Sequence, residues 1–387
     1  MTCWLLTMLL AVGSAPTGHP DDLNVRAGVA LRQAVAAMAK LAVGGGQAQV
    51  VELASGRRLA GRELGPTEFA VGPDGTVAAG WACLAAFEAT GEPAYRDAAV
   101  TVAHALAATQ LESGGWPVTA DPAGRAYTRS LAQQGEPRGD RSDESQLAEP
   151  ITPEALRFLT RVADLCGDQD AAQAGEYGVL SLLRIQRPDG AWPAVWPPRG
   201  DDARQGVMVG PLGAVTPAIL RLLHQAKLAP ANEAAHRAGE WLLRTRGPAG
   251  WDDSPAATAA GLLALAELHG DGTDRRYLAA ARDILAHRPA TTPELKTAAA
   301  AIAAAARGRT TLDTSREARA WRTAQHSREV AQVLSALNGD GLWVEDGQVR
   351  TATFAANVTL LAAFVRDYEP LPEAFTTDPE RAGPHRL

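Results

Sequence analysis

The residues best suited to bind an acidic ligand follow one another closely near the middle of the chain. Trp196 is followed by Arg199, Asp201 and Asp202. A guanidinium pairs bidentately with a carboxylate, and paired carboxylates offer the oxygen ligands that Ca²⁺ takes. An exposed Trp adds a flat apolar plate on which a sugar ring stacks. The pattern therefore predicts a loop that grips a uronate or a metal, although a solvated loop explains the same residues equally well.

A second group of carboxylates lies in the segment 118–150. Asp143, Glu144 and Glu149 are its candidate calcium ligands, because oxygen donors suit that cation. The segment has almost no apolar periodicity and is too long for an ordinary connector, which is typical of functional lids or insertions. A solvated insertion is the alternative interpretation.

Both groups follow a recurrent pattern that positions them. A helical run ends, a Gly-containing turn follows, and a Trp lies six positions after the last helical residue. The copies are Gln110 to Trp116, Gln186 to Trp192, Thr245 to Trp251 and Leu337 to Trp343. Gly supplies the left-handed turn, and a side-chain amide can bond the freed carbonyls of the helix end. The four copies predict repeated helical hairpins capped by Trp.

Apolar spacing predicts the helices between these turns. Several begin with Thr or Ser followed by Pro, as at Thr152-Pro153, which predicts an N-cap and a first helical residue. The predicted helices are 23–43, 76–90, 93–111, 152–165, 171–185, 216–226, 233–244, 254–268, 274–287, 292–307, 315–337 and 352–367.

The predicted fold class is all-α. Helical hairpins that each lack a full core must stack on neighbours, either as an open solenoid or as a closed α/α toroid. A closed ring is favoured because the repeats are few and because their long insertions fall at the same position within each helix pair. Alternating apolar residues in 47–61 add one short β-hairpin near the N-terminus. Residues 19–375 are predicted to form a single domain, and the tail 376–387 to be disordered.

Composition limits the class of protein. The 387 residues are 46% hydrophobic but only 5% aromatic, as helix-on-helix packing would use. The net charge is −7 and the pI is near 5.7, which argues against nucleic acid as a partner. We also expect no membrane span, because no apolar stretch reaches the required length. The sequence does not predict the oligomeric state.

The N-terminus is typical of a secretory signal peptide over residues 1–18. Trp4 to Val12 is an apolar run too short to cross a membrane, and Gly13-Ser14-Ala15 offers small residues for cleavage. A secreted or periplasmic protein is expected. Cys83 and Cys166 would then remain, and both are predicted to be buried free thiols.

The turn motifs resemble those of two families. Leu182-x3-Gln186-x3-Gly190-x-Trp192 fits the repeat signature of terpenoid cyclases, but those enzymes also need an Asp-rich acid motif that this chain lacks. Tyr95-Arg96-Asp97-Ala98-Ala99, leading to Gln110 through Trp116, resembles more closely the first repeat of family-ten pectate lyases. Ala155-Leu156-Arg157-Phe158-Leu159 followed by Gln186 through Trp192 resembles the second.

The pectate lyase resemblance implies an α/α toroid that cleaves polygalacturonate by β-elimination, with calcium held by carboxylates and an Arg as base. Arg199-Gly200 matches the family's Arg-Gly, so the resemblance makes Arg199 the catalytic candidate. Glu149 keeps one family carboxylate, whereas Gly213-Ala214-Val215 replaces other calcium ligands with side chains that cannot bind the metal.

Two functions are therefore open. The first is a divergent pectate lyase-like protein that binds or cleaves acidic polysaccharide. The second is a noncatalytic toroid that binds a glycan or a protein. They differ in whether the acidic side chains of the two insertions converge in one cleft.

Overall fold

The computed structural model describes residues 20–124, 126–147, 150–193, 195–197, 229–251, 255–270, 275–288 and 329–368, together with isolated positions between residues 219 and 327. Predictions that fall on other residues, among them the signal peptide and the C-terminal tail, lie outside this description.

Helical hairpins dominate the described chain. The helices are α1 (Pro20–Leu41), α2 (Thr76–Thr90), α3 (Pro93–Thr109), α4 (Arg129–Gln133), α5 (Ile151–Cys166), α6 (Gln169–Ile185), α7 (Ala229–Thr245), α8 (Pro255–Gly270), α9 (Arg275–His287) and α10 (Thr351–Asp367). Residues 329–336 are also helical. α2 pairs with α3, α5 with α6, and α8 with α9.

These hairpins close into a ring. α2, α5, α8 and α10 form its inner wall, and α1, α3, α6, α7 and α9 pack outside them. The C-terminal helix α10 packs against both α1 and α2, so the last hairpin element meets the first ones. At this seam Thr351 donates from its backbone nitrogen to the Gln49 carbonyl at 2.9 Å and from its hydroxyl to the Ala48 carbonyl at 2.5 Å. The predicted α/α toroid is therefore confirmed.

Short strands lie at one end of the ring. β1 (Val50–Glu52) and β2 (Arg58–Leu59) form the predicted hairpin, with Val50 opposite Leu59. β7 (Gln348–Arg350) joins it antiparallel on the other side of β1 and strengthens the ring closure. Two further antiparallel ribbons, which the sequence did not predict, pair β3 (Phe69–Ala70) with β4 (Thr119–Ala120) and β5 (Ser145–Gln146) with β6 (Val195–Trp196).

The Trp turns have the predicted geometry. Gly114, Gly190, Gly250 and Gly341 all have positive φ, between 77° and 108°. These turns also lie close to neighbouring helices. A Cβ on Gly190 would come within 2.4 Å of the Arg237 carbonyl on α7, and one on Gly341 within 2.8 Å of the Gln33 carbonyl on α1. Glycine is needed at these positions for its conformation and for the close approach.

One hydrophobic core runs through the ring. Its largest fully buried side chains include Trp116, Trp192, Tyr277, Phe158 and Phe354. A small separate cluster, which includes Val51 and Leu64, lies under the sheet of β1, β2 and β7. In the ranges that the structure describes, no helix is both long and apolar enough to cross a bilayer.

The prediction that Thr152 is an N-cap is wrong. α5 begins one residue earlier, at Ile151, and no side chain caps it. The Thr152 hydroxyl accepts a hydrogen bond from the Trp116 backbone nitrogen at 3.1 Å instead. Because the Thr152 hydroxyl is bonded to the first Trp turn, it does not cap the N-terminus of α5.

Candidate functional site

One end of the ring collects the long connections. α2, α5 and α10 begin there, each directly after a strand-bearing segment, whereas the tight turns at Gly91 and Gly167 join inner to outer helices at the opposite end. We call the end at which the inner helices begin the mouth. The N-termini that gather there carry partial positive charge, which favours anionic side chains in the first turns.

The face of α2 that points to the ring axis can be read from burial. Most of the helix is buried against α3, α5 and α10, and a stripe formed by Ala78, Trp81 and Ala85 is only partly buried. The residues are three or four positions apart, so they share one face. In a ring, the face left uncovered by both inner neighbours and the outer partner faces the axis. Trp81 is the large side chain of this face.

α5 presents charged residues to the same space. Arg157 lies over the Trp81 ring, with its guanidinium carbon 5.7 Å from the ring centroid. Its Nη1 donates to both carboxylate oxygens of Glu154, at 3.0 and 2.8 Å. The side chains of Arg157 and Glu154 are only 18% and 14% exposed, so water screens the pair weakly. The Trp81 ring also makes an edge-to-face contact with Phe158, with 5.8 Å between the ring centroids.

A second carboxylate lies beside this cluster. Asp74 immediately precedes the start of α2, and its Oδ2 accepts a hydrogen bond from Gln49 Nε2 at 2.8 Å. A Cβ built on Gly72 would lie 3.2 Å from Asp74 Oδ1 and 3.5 Å from Ile151, the first residue of α5. The segment that carries Asp74 therefore lies close to Ile151, at the start of the helix that carries Glu154. The axial cluster consists of Asp74, Trp81, Glu154 and Arg157.

Further along the axis, the charges pair with one another. Arg161 on α5 binds Glu88 near the end of α2. This ion pair connects the two inner helices away from the mouth. The mouth is thus the part of the axis that brings together the Glu154 carboxylate, the Arg157 guanidinium and the Trp81 indole, with Asp74 in the segment just before α2.

No protein family profile matches the chain, and no curated protein sequence is significantly similar to it. Solved structures do match. An inactive variant of the α-1,6-mannanase GH76A from Salegentibacter sp. HEL1_6, in complex with α-1,6-mannotriose, has a TM-score of 0.51 at 12% identity, with 90% of this chain and 100% of that chain covered. The family 76 mannosidase Bt3792 from Bacteroides thetaiotaomicron VPI-5482 has a TM-score of 0.52 at 11% identity, with 89% and 98% covered. The fold is the α/α toroid of these proteins.

The resemblance to family-ten pectate lyases is therefore a wrong assignment. The two solved structures described above, to which the fold is similar, are glycoside hydrolases of family 76. The Gln–Gly–Trp motif on which the resemblance rested marks the end of an outer helix. Such a helix end is needed by any helical hairpin, so the motif does not distinguish between toroids of different activity.

The structure places Asp143, one of the predicted calcium ligands, in a structural contact. Its carboxylate accepts hydrogen bonds at 2.7 Å from the Ser113 backbone nitrogen and from Arg138 Nη2. Burial raises the pKa of Asp143, and the contacts with Ser113 and Arg138 oppose that shift. The carboxylate ties the insertion to the first Trp turn.

The calcium site itself stays a prediction. The described residues contain no group of three or more His, Cys, Asp or Glu side chains that could hold a metal ion. Glu144 has interaction partners of its own, and Glu149 lies outside the described residues.

The other predicted site residues are only partly placed. Trp196 lies in β6 opposite Ser145 and packs, partly buried, against the core. Arg199, Asp201 and Asp202 lie outside the described residues, so their roles as catalytic and substrate-binding groups stay predictions.

Sequence reasoning missed the axial cluster. Glu154 belonged to a recognised helix start, Thr152-Pro153-Glu154, and was interpreted only as part of it. Trp81 is the only Trp of α2 and is flanked by Gly80 and Ala82 in a helix of mostly small residues. An isolated Trp in a helix of small residues was the available signal, because such a helix can pack closely on its neighbours and leave one face for the axis.

Proposed function

We propose that this chain is a carbohydrate-active protein that binds a polysaccharide at the mouth of the toroid and hydrolyses its glycosidic bonds. The observation that carries the proposal is that Asp74 and Glu154 lie at the N-terminal ends of the adjacent inner helices α2 and α5, with Arg157, the partner of Glu154, over the Trp81 ring. Glycoside hydrolysis commonly needs such a pair of carboxyl groups. The shared toroid fold with mannan-degrading enzymes supports the same class of substrate.

Each member of the axial cluster has a role in this proposal. The Trp81 ring supplies an apolar plate for the C–H face of a sugar. Arg157 holds both oxygens of Glu154 and orients them, which suits a base or nucleophile. The Asp74 Oδ1 atom has no hydrogen-bond partner within the described ranges, since only Oδ2 is bonded by Gln49. Oδ1 is therefore the atom through which Asp74 would contact the glycosidic oxygen in this proposal.

Reducing-end release from a panel of polysaccharides tests the proposal. The panel includes α-1,6-linked mannan, a neutral β-glucan and polygalacturonate, so that it also decides whether the polymer is acidic, as the sequence predicted. Asp74→Asn and Glu154→Gln should each lower the rate roughly 10²–10⁴-fold, the usual contribution of a general acid or base.

Matched controls are available on the outer helices. Asp97→Asn changes an exposed carboxylate paired only with Arg96, and Glu240→Gln changes one paired with Arg276. Neither should alter the rate. Hydrolysis by the wild type that persists in both Asp74→Asn and Glu154→Gln would reject the assignment of the site, and no release from any polymer would reject hydrolysis.

One observation favours the noncatalytic alternative. Arg157 contacts both oxygens of Glu154, which limits the freedom of that carboxylate to react. A glycan-binding toroid without turnover would show binding by calorimetry, loss of that binding in Trp81→Ala, and no reducing ends.

Export remains part of the proposal, because a polysaccharide substrate is met outside the cytoplasm. The apolar run from Trp4 to Val12 and the small residues after it support a cleaved signal. Intact-mass measurement of the protein from its native host decides the point, and a retained Met1 would reject it.

A further inference from the structure

Asp74 lies at the start of α2 but does not cap that helix. The N-cap position is occupied by Gly75, which has no side chain, and the Val77 backbone nitrogen donates to the Val71 carbonyl at 3.1 Å. A carboxylate so near a helix start commonly accepts from the backbone amides of the first turn. Here Gln49 Nε2 holds it instead, through a 2.8 Å bond to Oδ2. The Asp74 carboxylate is therefore positioned by a residue from outside its own helix.

Gln49 belongs to a well-anchored part of the ring. Its backbone nitrogen donates to the Leu59 carbonyl on β2 at 2.9 Å, and its carbonyl accepts from the Thr351 nitrogen at the start of α10, also at 2.9 Å. The first bond belongs to the sheet, and the second belongs to the seam at which the ring closes. A side chain that extends from such a fixed backbone suits the support of a reacting group, because precise sites depend on partners that are themselves locked.

The space beside the other oxygen of Asp74 is left by a glycine. A Cβ built on Gly72 would lie 3.2 Å from Asp74 Oδ1 and 3.5 Å from Ile151 Cγ1. Gly72 does not have the positive φ that favours glycine, so its backbone conformation does not exclude a side chain. A side chain at this position would crowd Oδ1. Gln49 and Gly72 thus act on the two oxygens in complementary ways, since one binds Oδ2 and the other leaves room beside Oδ1.

We propose that Gln49 is a positioning residue for the hydrolysis and that Gly72 keeps the space that Asp74 Oδ1 needs to reach the substrate. By holding Oδ2, Gln49 fixes the rotation of the Asp74 carboxylate and presents Oδ1. This role rests on the proposed function, because it requires Asp74 to contact the glycosidic oxygen. It also links the site to the seam, since the carbonyl of Gln49 receives the first residue of α10.

Two other Gln side chains of the same region provide a contrast. Gln47 is 3% exposed and donates from Nε2 to the Met38 carbonyl of α1 at 2.8 Å. Gln348 on β7 is half-buried, as Gln49 is, and its Oε1 accepts from Arg350 at 3.4 Å. In the described part of the chain neither is bonded to Asp74. Gln348→Leu is therefore a matched control for Gln49→Leu, because each replaces a half-buried amide at the same sheet by an apolar group of similar size.

Steady-state kinetics on the panel polymer that the wild type hydrolyses fastest give the first test. Gln49→Leu should lower kcat roughly 10- to 100-fold and change KM less than about threefold, because misplacement of a reacting group acts on the transition state. Gly72→Ala should lower kcat in the same way, and Gln348→Leu should leave both constants unchanged. In the Asp74→Asn background, Gln49→Leu should have no further effect, since residues that act as a unit are not additive.

A second measurement does not depend on turnover. In protein labelled with nitrogen-15 on the Gln side chains, the amide signal of Gln49 is assigned by its loss in Gln49→Leu. This signal should shift in Asp74→Asn and stay in place in Asp97→Asn, the exposed control carboxylate.

A Gln49 signal that does not respond to Asp74→Asn would overturn the positioning role, whatever the hydrolysis rates are. An equal loss of kcat by Gln49→Leu in the wild type and in Asp74→Asn would also overturn it and would leave the proposed function standing. If the signal responds but the wild type releases no reducing ends from any polymer, the proposed function fails. The role of Gln49 in hydrolysis then fails with it, and the hydrogen bond serves only the fold.

Discussion

The first and third Trp turns have the same sequence outline but different bonds. In the first turn, Gln110 Nε2 donates to the Gly114 carbonyl at 3.0 Å and to the Ala174 carbonyl of α6 at 2.9 Å. The Trp116 indole nitrogen donates at 2.8 Å to Leu106, ten residues earlier. One side chain thus closes its own turn and links it to the next outer helix.

The third turn lacks both links. Thr245 stands in the Gln position, and among the described residues its hydroxyl bonds only to the Trp241 carbonyl of its own helix, at 2.9 Å. The Trp251 indole nitrogen is buried without a hydrogen-bond partner in the described part of the chain. What the two turns share is the bond from the Trp backbone nitrogen to a Thr hydroxyl on the following inner helix, Thr152 or Thr258.

The difference between the two turns indicates that the motif has two separate structural roles. Burying the Trp ring is common to all copies, whereas connecting consecutive outer helices needs Gln. The second turn supports this division, because Gln186 also reaches forward, to the Ala234 carbonyl of α7 at 2.8 Å. Where Gln is replaced by Thr, α7 and α9 are joined by exposed ion pairs such as Glu240–Arg276. Exposed ion pairs of this kind contribute little to stability.

Truncation of the buried ring should have the largest effect in either turn. Trp192 and Trp251 are 0% and 3% exposed. Either Trp→Ala change should lower the free energy of unfolding by about 3–5 kcal/mol, since loss of a buried ring and the cavity left behind dominate. Urea unfolding measures it, with partly buried Trp196→Ala as the milder control. A loss of unfolding free energy below about 1 kcal/mol in Trp251→Ala would contradict this expectation, because the Trp251 ring would then contribute little to packing.

Replacing the polar residue should separate the turns. Gln110→Leu removes the donor from two backbone carbonyls at a fully buried position, which should cost about 2–3 kcal/mol. Thr245→Val removes only a bond within its own helix turn and should cost less than about 1 kcal/mol. Urea unfolding of both variants tests the contrast. Equal losses would mean that the link to the next outer helix contributes nothing.

Local signals allowed the sequence to predict the helices well. α2 was predicted as 76–90 and is observed as Thr76–Thr90, because Gly91 ends it and a glycine-rich turn precedes it. The Trp turns were equally visible, since the left-handed Gly and the buried Trp are requirements of each helix end. Ring closure followed from the number and phase of the repeats.

The axial cluster could not be predicted in the same way. α2 is apolar around nearly its whole circumference, so no periodicity shows which of its faces points to the axis. That Asp74 and Glu154 come from neighbouring helix starts depends on how two inner helices begin side by side, and Gln49, which fixes Asp74, comes from a different segment. The carboxylate-rich insertions led to the sequence-based prediction of the site, but Asp143 in one of them makes structural contacts.

The smallest expected effect isolates the indole nitrogen. Trp192→Phe and Trp251→Phe remove similar volumes from similarly buried sites, so the cavity cost largely cancels between them. Trp192→Phe also removes the donor to the Leu182 carbonyl, at 2.9 Å, whereas Trp251→Phe removes a buried N–H that has no partner. An unpartnered buried donor costs about 1–3 kcal/mol, so its loss offsets part of the cavity cost. Trp192→Phe should therefore destabilise by about 1–2 kcal/mol more than Trp251→Phe in paired urea titrations. If the two variants lose the same stability, Trp251 has an acceptor in solution, and the second and third turns differ only in the residue at the Gln position.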